Sequence, residues 1–126
     1  MTLALWCALV AGIMPVITTG IAKWGAPALD NNHPRDWANG LTGYRRRAYA
    51  AHQNAYEAFP FFAAAVIVAS ITDAPQGIVN ILAVIFIAAR IGYTATYMAD
   101  MSTPRSIFWA IGWFSTIAIF SAGAWG

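Results

Sequence analysis

Asn80-Ile-Leu-Ala-Val-Ile-Phe-Ile-Ala-Ala-Arg90-Ile-Gly-Tyr93 is the stretch whose reading decides the fold of this chain. With its flanks, from Gln76 to Met98, it has the roughly 20 residues that a helix needs to cross a bilayer. Arg90 interrupts it, and a lone guanidinium at that depth is expensive enough that something must pair with it. The carboxylate able to reach it from inside another apolar segment is Glu57, in Ala51-His-Gln-Asn54-Ala-Tyr-Glu57-Ala-Phe-Pro60-Phe-Phe. An ionisable residue inside a membrane span marks a functional site by default.

The rest of the chain follows the same pattern. It is 60% hydrophobic and 10% charged, and its apolar residues come in runs instead of the alternating or amphipathic patterns of a soluble domain. Four spans are expected, at about 2–22, 48–71, 76–98 and 104–125, which makes residues 1–126 one all-α, integral membrane four-helix bundle. The first span lacks a basic start and a small-residue cleavage site, so it reads as a retained helix and not a removed signal. Cys7 is the single cysteine and offers no internal disulfide.

Basic residues set the expected orientation. Lys23, Arg35, Arg45, Arg46 and Arg47 lie in the first loop and Arg105 at the third, while the second loop, Thr72-Asp-Ala-Pro-Gln76, carries none. Positive-inside asymmetry puts loops one and three in the cytoplasm and both termini on the other side. The net charge of +2 is accounted for by these topology determinants and gives no reason to expect a nucleic-acid partner. The first loop is the longest connection and rich in turn formers; Trp24, Trp37 and Tyr44 argue that it is ordered, as ligand contacts or as an interfacial aromatic belt.

Polar residues within the spans are segregated. Span two is polar in its cytoplasmic half, with His52, Gln53, Asn54 and Glu57, and span three likewise, with Arg90, Tyr93, Thr94, Thr96 and Tyr97. Glu57 and Arg90 each lie about ten residues from the same surface, roughly 15 Å deep, and equal depth predicts their contact. Asn54 and Glu57 share a helix face, as do Arg90, Tyr93, Thr94 and Tyr97, so the two faces should line a cleft open to the cytoplasm. A buried pair that only fixes helix register explains Glu57 and Arg90 as well as ligand contact does. The whole constellation, with Arg105 at its mouth, holds more donors than one carboxylate can use, which suits an anionic ligand. His33 and His52 lack metal-ligand spacing, and Gly92 and Gly112 suit close helix packing.

Arg47-Ala-Tyr-Ala-Ala-His52-Gln-Asn54-Ala-Tyr-Glu57-Ala-Phe-Pro60-Phe resembles the second-helix signature of the MAPEG family, the membrane-associated proteins in eicosanoid and glutathione metabolism. Ala89-Arg90-Ile-Gly-Tyr93-Thr-Ala-Thr-Tyr97, followed by Arg105-Ser106, is similar to its third-helix signature and to the arginine that opens its fourth helix. The resemblance implies a homotrimer with glutathione sites between neighbouring subunits, facing the cytoplasm. Asn54, Glu57, Tyr93 and Tyr97 would hold the tripeptide, with Gln53 beside them. Lys23 would stand where members place a basic residue at the end of the first helix. Arg105 would face the thiol, with Ser106 a candidate for the same task, and Arg90 would pair with Glu57.

Ala50 and Gln53 depart from that pattern, because some glutathione-using members carry arginines there that grip the carboxylates of the tripeptide. Losing a bidentate cation costs roughly 1.5–3 kcal/mol of charge-assisted hydrogen bonding; Lys23 and Arg45 to Arg47 are the cations left to compensate. The leading expectation is a glutathione-dependent transferase or peroxidase acting on a lipophilic electrophile from the bilayer. The alternative is a non-catalytic structural or accessory subunit working with other membrane proteins. A small multidrug transporter ranks last, because the first span has no acidic residue. Compact loops and Ala-rich spans suit a bacterial inner membrane.

Overall fold

The computed structural model describes residues 1–27 and 29–125. Its elements are α1 (Leu3–Lys23), a short α2 (Pro34–Asn39), α3 (Gly43–Ile71), α4 (Gln76–Met98) and α5 (Ser102–Ser121), the last running into a 3-10 turn, Ala122–Ala124. The four long helices are apolar and long enough to cross a membrane. α1 packs chiefly on α3 and α4 on α5, while α3 also touches α4 and α5, so these three can enclose a site.

Helix α4 has the expected bounds. α1 is shifted by one residue because Thr2 caps it, its side-chain oxygen accepting from the Leu5 N–H at 3.3 Å. α3 departs most, beginning at Gly43 instead of near 48. Hydropathy ends a span where the arginines start, but arginine is a good helix former, and the helix continues past the apolar segment. α5 starts at Ser102, with Pro104 in its first turn, where no N–H is needed.

The helix ends are closed by side chains the sequence offered for other reasons. Arg45 donates from Nη1 to the carbonyls of Ala22 (3.1 Å) and Trp24 (2.7 Å), and Arg47 donates from Nε to that of Met98 (2.9 Å). The extension of α3 thereby ties down the C-termini of α1 and α4, whose last carbonyls lack helical partners. At the opposite end Asn80 Oδ1 accepts from the Ala4 N–H (3.0 Å) and from Gln76 Nε2 (2.7 Å). Asp73 and Asp100, with φ of 52° and 61°, take the left-handed position after α3 and α4, and the following amides return to Ala69 and Thr96.

The core is built from small residues and a few large ones. Phe62 and Phe86, 0% and 3% exposed, stack at 3.8 Å between centroids. Val66, Val79 and Ile119 are buried around them amid alanines. Gly92 lets α5 approach α4: a Cβ there would lie 2.7 Å from the Phe108 ring. Gly12 does the same for Phe59 across α1 and α3, at 3.3 Å. Close approach through small residues is how helices gain contact where lipid removes the hydrophobic drive. His52 ties the same pair, its Nδ1 lying 2.7 Å from the carbonyl oxygen of Pro15; that oxygen only accepts, so Nδ1 carries the proton.

Candidate functional site

Two cavities lie between α3, α4 and α5 and share Asn54 and Trp109 as a common wall. The outer one, about 270 Å³, is lined by Tyr93, Tyr97, Arg105 and Ser106 besides the shared pair. The deeper one, about 190 Å³, is bounded by Glu57, Phe61, Phe86, Arg90, Trp113 and Thr116 among others. Taken together they fall within the roughly 300–1,000 Å³ of small-molecule sites. The positions that share each wall follow from helical spacing. Asn54, Glu57 and Phe61 form one stripe of α3; Arg90, Tyr93 and Tyr97 form one of α4; and Arg105, Trp109, Trp113 and Thr116 form one of α5.

The electrostatics differ from the expected ion pair. Glu57 and Arg90 line the same cavity, yet they make no direct salt bridge within this chain. Glu57 Oε2 accepts instead from Asn54 Nδ2 at 3.2 Å, while Arg90, 4% exposed, sets its guanidinium 4.3 Å from the Tyr93 ring centre. The reason is local. Each residue finds a partner three positions away on its own helix, and equal depth says nothing about the angle at which two side chains leave their helices. Arg105 sits in the same way 4.6 Å from the Tyr97 ring, and the two tyrosines meet edge to face at 5.6 Å. A ladder of Arg105, Tyr97, Tyr93 and Arg90 thus runs from the outer cavity to the deeper one.

Three buried polar atoms here have no partner: Asn54 Oδ1, Arg90 Nη2 and Thr94 Oγ1. A cation over an aromatic ring uses its face, and its in-plane N–H groups still need acceptors. Leaving a buried donor or acceptor unmade costs about 1–3 kcal/mol, more for a charged group. Such a cluster is uncommon in a packed interior; Asn54 lines both cavities and Arg90 the deeper one.

The model of the MAPEG family matches residues 3–125 of the 126-residue chain. The chain belongs to the MAPEG family. No curated protein and no solved structure matches it.

Of the residues singled out in this MAPEG chain, the structure brings together Asn54, Glu57, Arg90, Tyr93, Tyr97, Arg105 and Ser106. Lys23 and Gln53 line neither cavity: Lys23 is the last residue of α1 and Gln53 is exposed on α3. Arg45 and Arg47, two of the cations left to compensate for Ala50 and Gln53, are engaged by helix-end carbonyls. Sequence reasoning passed over Phe61, Trp109, Trp113 and Thr116, the walls of the deeper cavity. Their signal was present, since Arg105, Trp109, Trp113 and Thr116 recur at the period of one helix face.

Proposed function

We propose that this MAPEG chain is a membrane glutathione-dependent transferase or peroxidase that acts on lipophilic electrophiles entering from the bilayer. The outer cavity carries the reading: Arg105 stands at its rim with Ser106, two tyrosines and Asn54, and the unpartnered acceptor Asn54 Oδ1 lies buried beside them. The arginine, serine and tyrosine donors suit the anionic groups of a peptide, and Asn54 Oδ1 and the Glu57 carboxylate suit its N–H and ammonium groups. When bound, glutathione supplies the nucleophilic sulfur. Tyr93, Tyr97 and Asn54 position it by hydrogen bonds, and Arg105 stabilises the sulfur's negative charge, with Ser106 as a further donor. The site opens at the end of the bundle that carries Arg45 to Arg47 and Arg105, the end the positive-inside rule gives to the cytoplasm of a bacterial cell.

The subunit assembly belongs to the same proposal. Glu57 is exposed in the single chain, and a carboxylate facing hydrocarbon at that depth is not sustainable. Neighbouring copies in a homotrimer cover it. Native mass spectrometry in mild detergent is expected to show trimers, and a stable monomer contradicts the assembly.

Adding glutathione to the purified protein at neutral pH is expected to give a saturable rise in the ultraviolet absorbance of a thiolate. The exposed Gln53 and the small Ala50 favour a second reading, a non-catalytic accessory subunit. Under it the parent gives no signal and Gln53→Arg restores binding by returning a cation to the carboxylate end. No signal in either protein, with both folded, removes the transferase reading.

A further inference from the structure

The connection between α1 and α3 holds a third cavity, of about 520 Å³, which shares no residue with the two between α3, α4 and α5. Residues of α2 and the start of α3 form its walls. The helices it connects are both long and apolar enough to span the membrane, so the cavity lies at the bilayer surface, at the level of lipid headgroups. Trp24, 85% exposed where α1 ends, suits the same level. Two charged residues line the cavity, Asp36 in the first turn of α2 and Arg45 in the first turn of α3. They form no ion pair with each other. Arg45 Nη1 is taken by the carbonyls of Ala22 and Trp24, and the guanidinium lies 5.1 Å from the Tyr44 ring centre. An arginine carries five N–H donors, so three of them find no acceptor among the described residues. Asp36 is exposed, and its carboxylate likewise lacks a partner among the described residues.

We propose that this cavity binds the zwitterionic headgroup of a phosphatidylethanolamine, with the phosphate on Arg45 and the ammonium on Asp36. A cavity with one fixed cation and one fixed carboxylate, neutral as a whole, selects by charge pattern. A ligand that is only an anion meets Asp36 as well as Arg45, and one that is only a cation meets the reverse; a ligand carrying both signs satisfies each. A guanidinium held by two carbonyls and a ring has little freedom left to lose when it takes a phosphate. The primary ammonium has three N–H donors to give a carboxylate, which the trimethylated headgroup of choline lacks. Trp37 and Tyr44 line the same space; two rings add a favourable face for a cation but do not enclose a quaternary one on all sides. Membrane-surface placement favours a lipid over a soluble phosphodiester, because lipid tails already in the bilayer keep the headgroup at high local concentration. The site stands whether or not the chain uses glutathione.

The test is native mass spectrometry of the full-length protein, stripped of lipid in mild detergent and titrated with dioleoyl phosphatidylethanolamine, phosphatidylcholine or phosphatidylglycerol. The parent is expected to bind the ethanolamine lipid about fivefold more tightly than either of the others, the scale of one partly exposed charge pair. Asp36 is exposed, so its substitution leaves the fold intact. Asp36→Asn is expected to bring the ethanolamine and choline lipids to equal affinity. Asp36→Lys makes the cavity cationic and is expected to reverse the order in favour of phosphatidylglycerol. A parent that binds the three lipids equally, or an ethanolamine preference that survives both substitutions, overturns the site. Glycerophosphoethanolamine, the same headgroup without tails, is expected not to displace the lipid at equal concentration; displacement overturns the lipid source and makes the ligand a soluble phosphodiester.

Discussion

Phe62→Ala is expected to be the most damaging single change to the fold, lowering stability by about 2–3 kcal/mol. Phe62 is 0% exposed and stacks on Phe86 at 3.8 Å and 5° between planes, joining α3 to α4 in the core. In a soluble protein such a truncation costs roughly 3–5 kcal/mol, part from transfer to water and part from the cavity left behind. Lipid is as apolar as the core, so most of the transfer part is absent here and the lost dispersion contacts remain. At about 24 cal/mol per Å³, a void of about 100 Å³ accounts for the figure. Phe62→Leu should cost less than half as much. Thermal unfolding in detergent, followed by near-ultraviolet circular dichroism, checks it. An alanine variant that melts with the parent shows that the ring does not hold α3 to α4.

How much of this was legible depends on whether a residue acts along its helix or across to another. The helices follow from apolar runs of bilayer length, and α4 from Gln76 to Met98 is found as read. Which residues gather at the site was also legible, because Asn54, Glu57, Arg90, Tyr93, Tyr97 and Arg105 share depth and face. What failed was pairing. Glu57 and Arg90 match in depth, but rotation about each helix axis decides contact, and Asn54 and Tyr93 engage them first. The arginine run was read as a topology signal alone, although Arg45 and Arg47 also close the C-termini of α1 and α4; carbonyls in need of a donor leave no mark in sequence. Gln53 and Lys23, carried over by position in a motif, are not part of either cavity in the single chain.

Under the proposed function, Arg105→Ala is expected to have the largest effect on chemistry, removing most of the glutathione thiolate signal at neutral pH while leaving the fold intact. Arg105 is half-buried at the start of α5, where it lines the outer cavity and lies 4.6 Å from the Tyr97 ring. Stacking on the ring fixes the guanidinium face and leaves its edge for an anion. A free thiol with a pKa near 8.5 is only a few per cent ionised at pH 7. Lowering that pKa by about two units, worth about 1.36 kcal/mol each, makes it mostly ionised. Loss of the guanidinium should therefore reduce the bound thiolate about 20-fold at pH 7. The sign of the pH dependence separates activation from damage. The thiolate missing at pH 7 returns as pH rises through about 8.5, so the variant should approach the parent near pH 9. Arg105→Lys, which keeps a charge without the planar fork, should fall between them. A variant with full thiolate at pH 7 shows that another group stabilises the sulfur. A loss that persists unchanged at pH 9 shows that Arg105 holds the peptide or the helix end and does not activate the thiol.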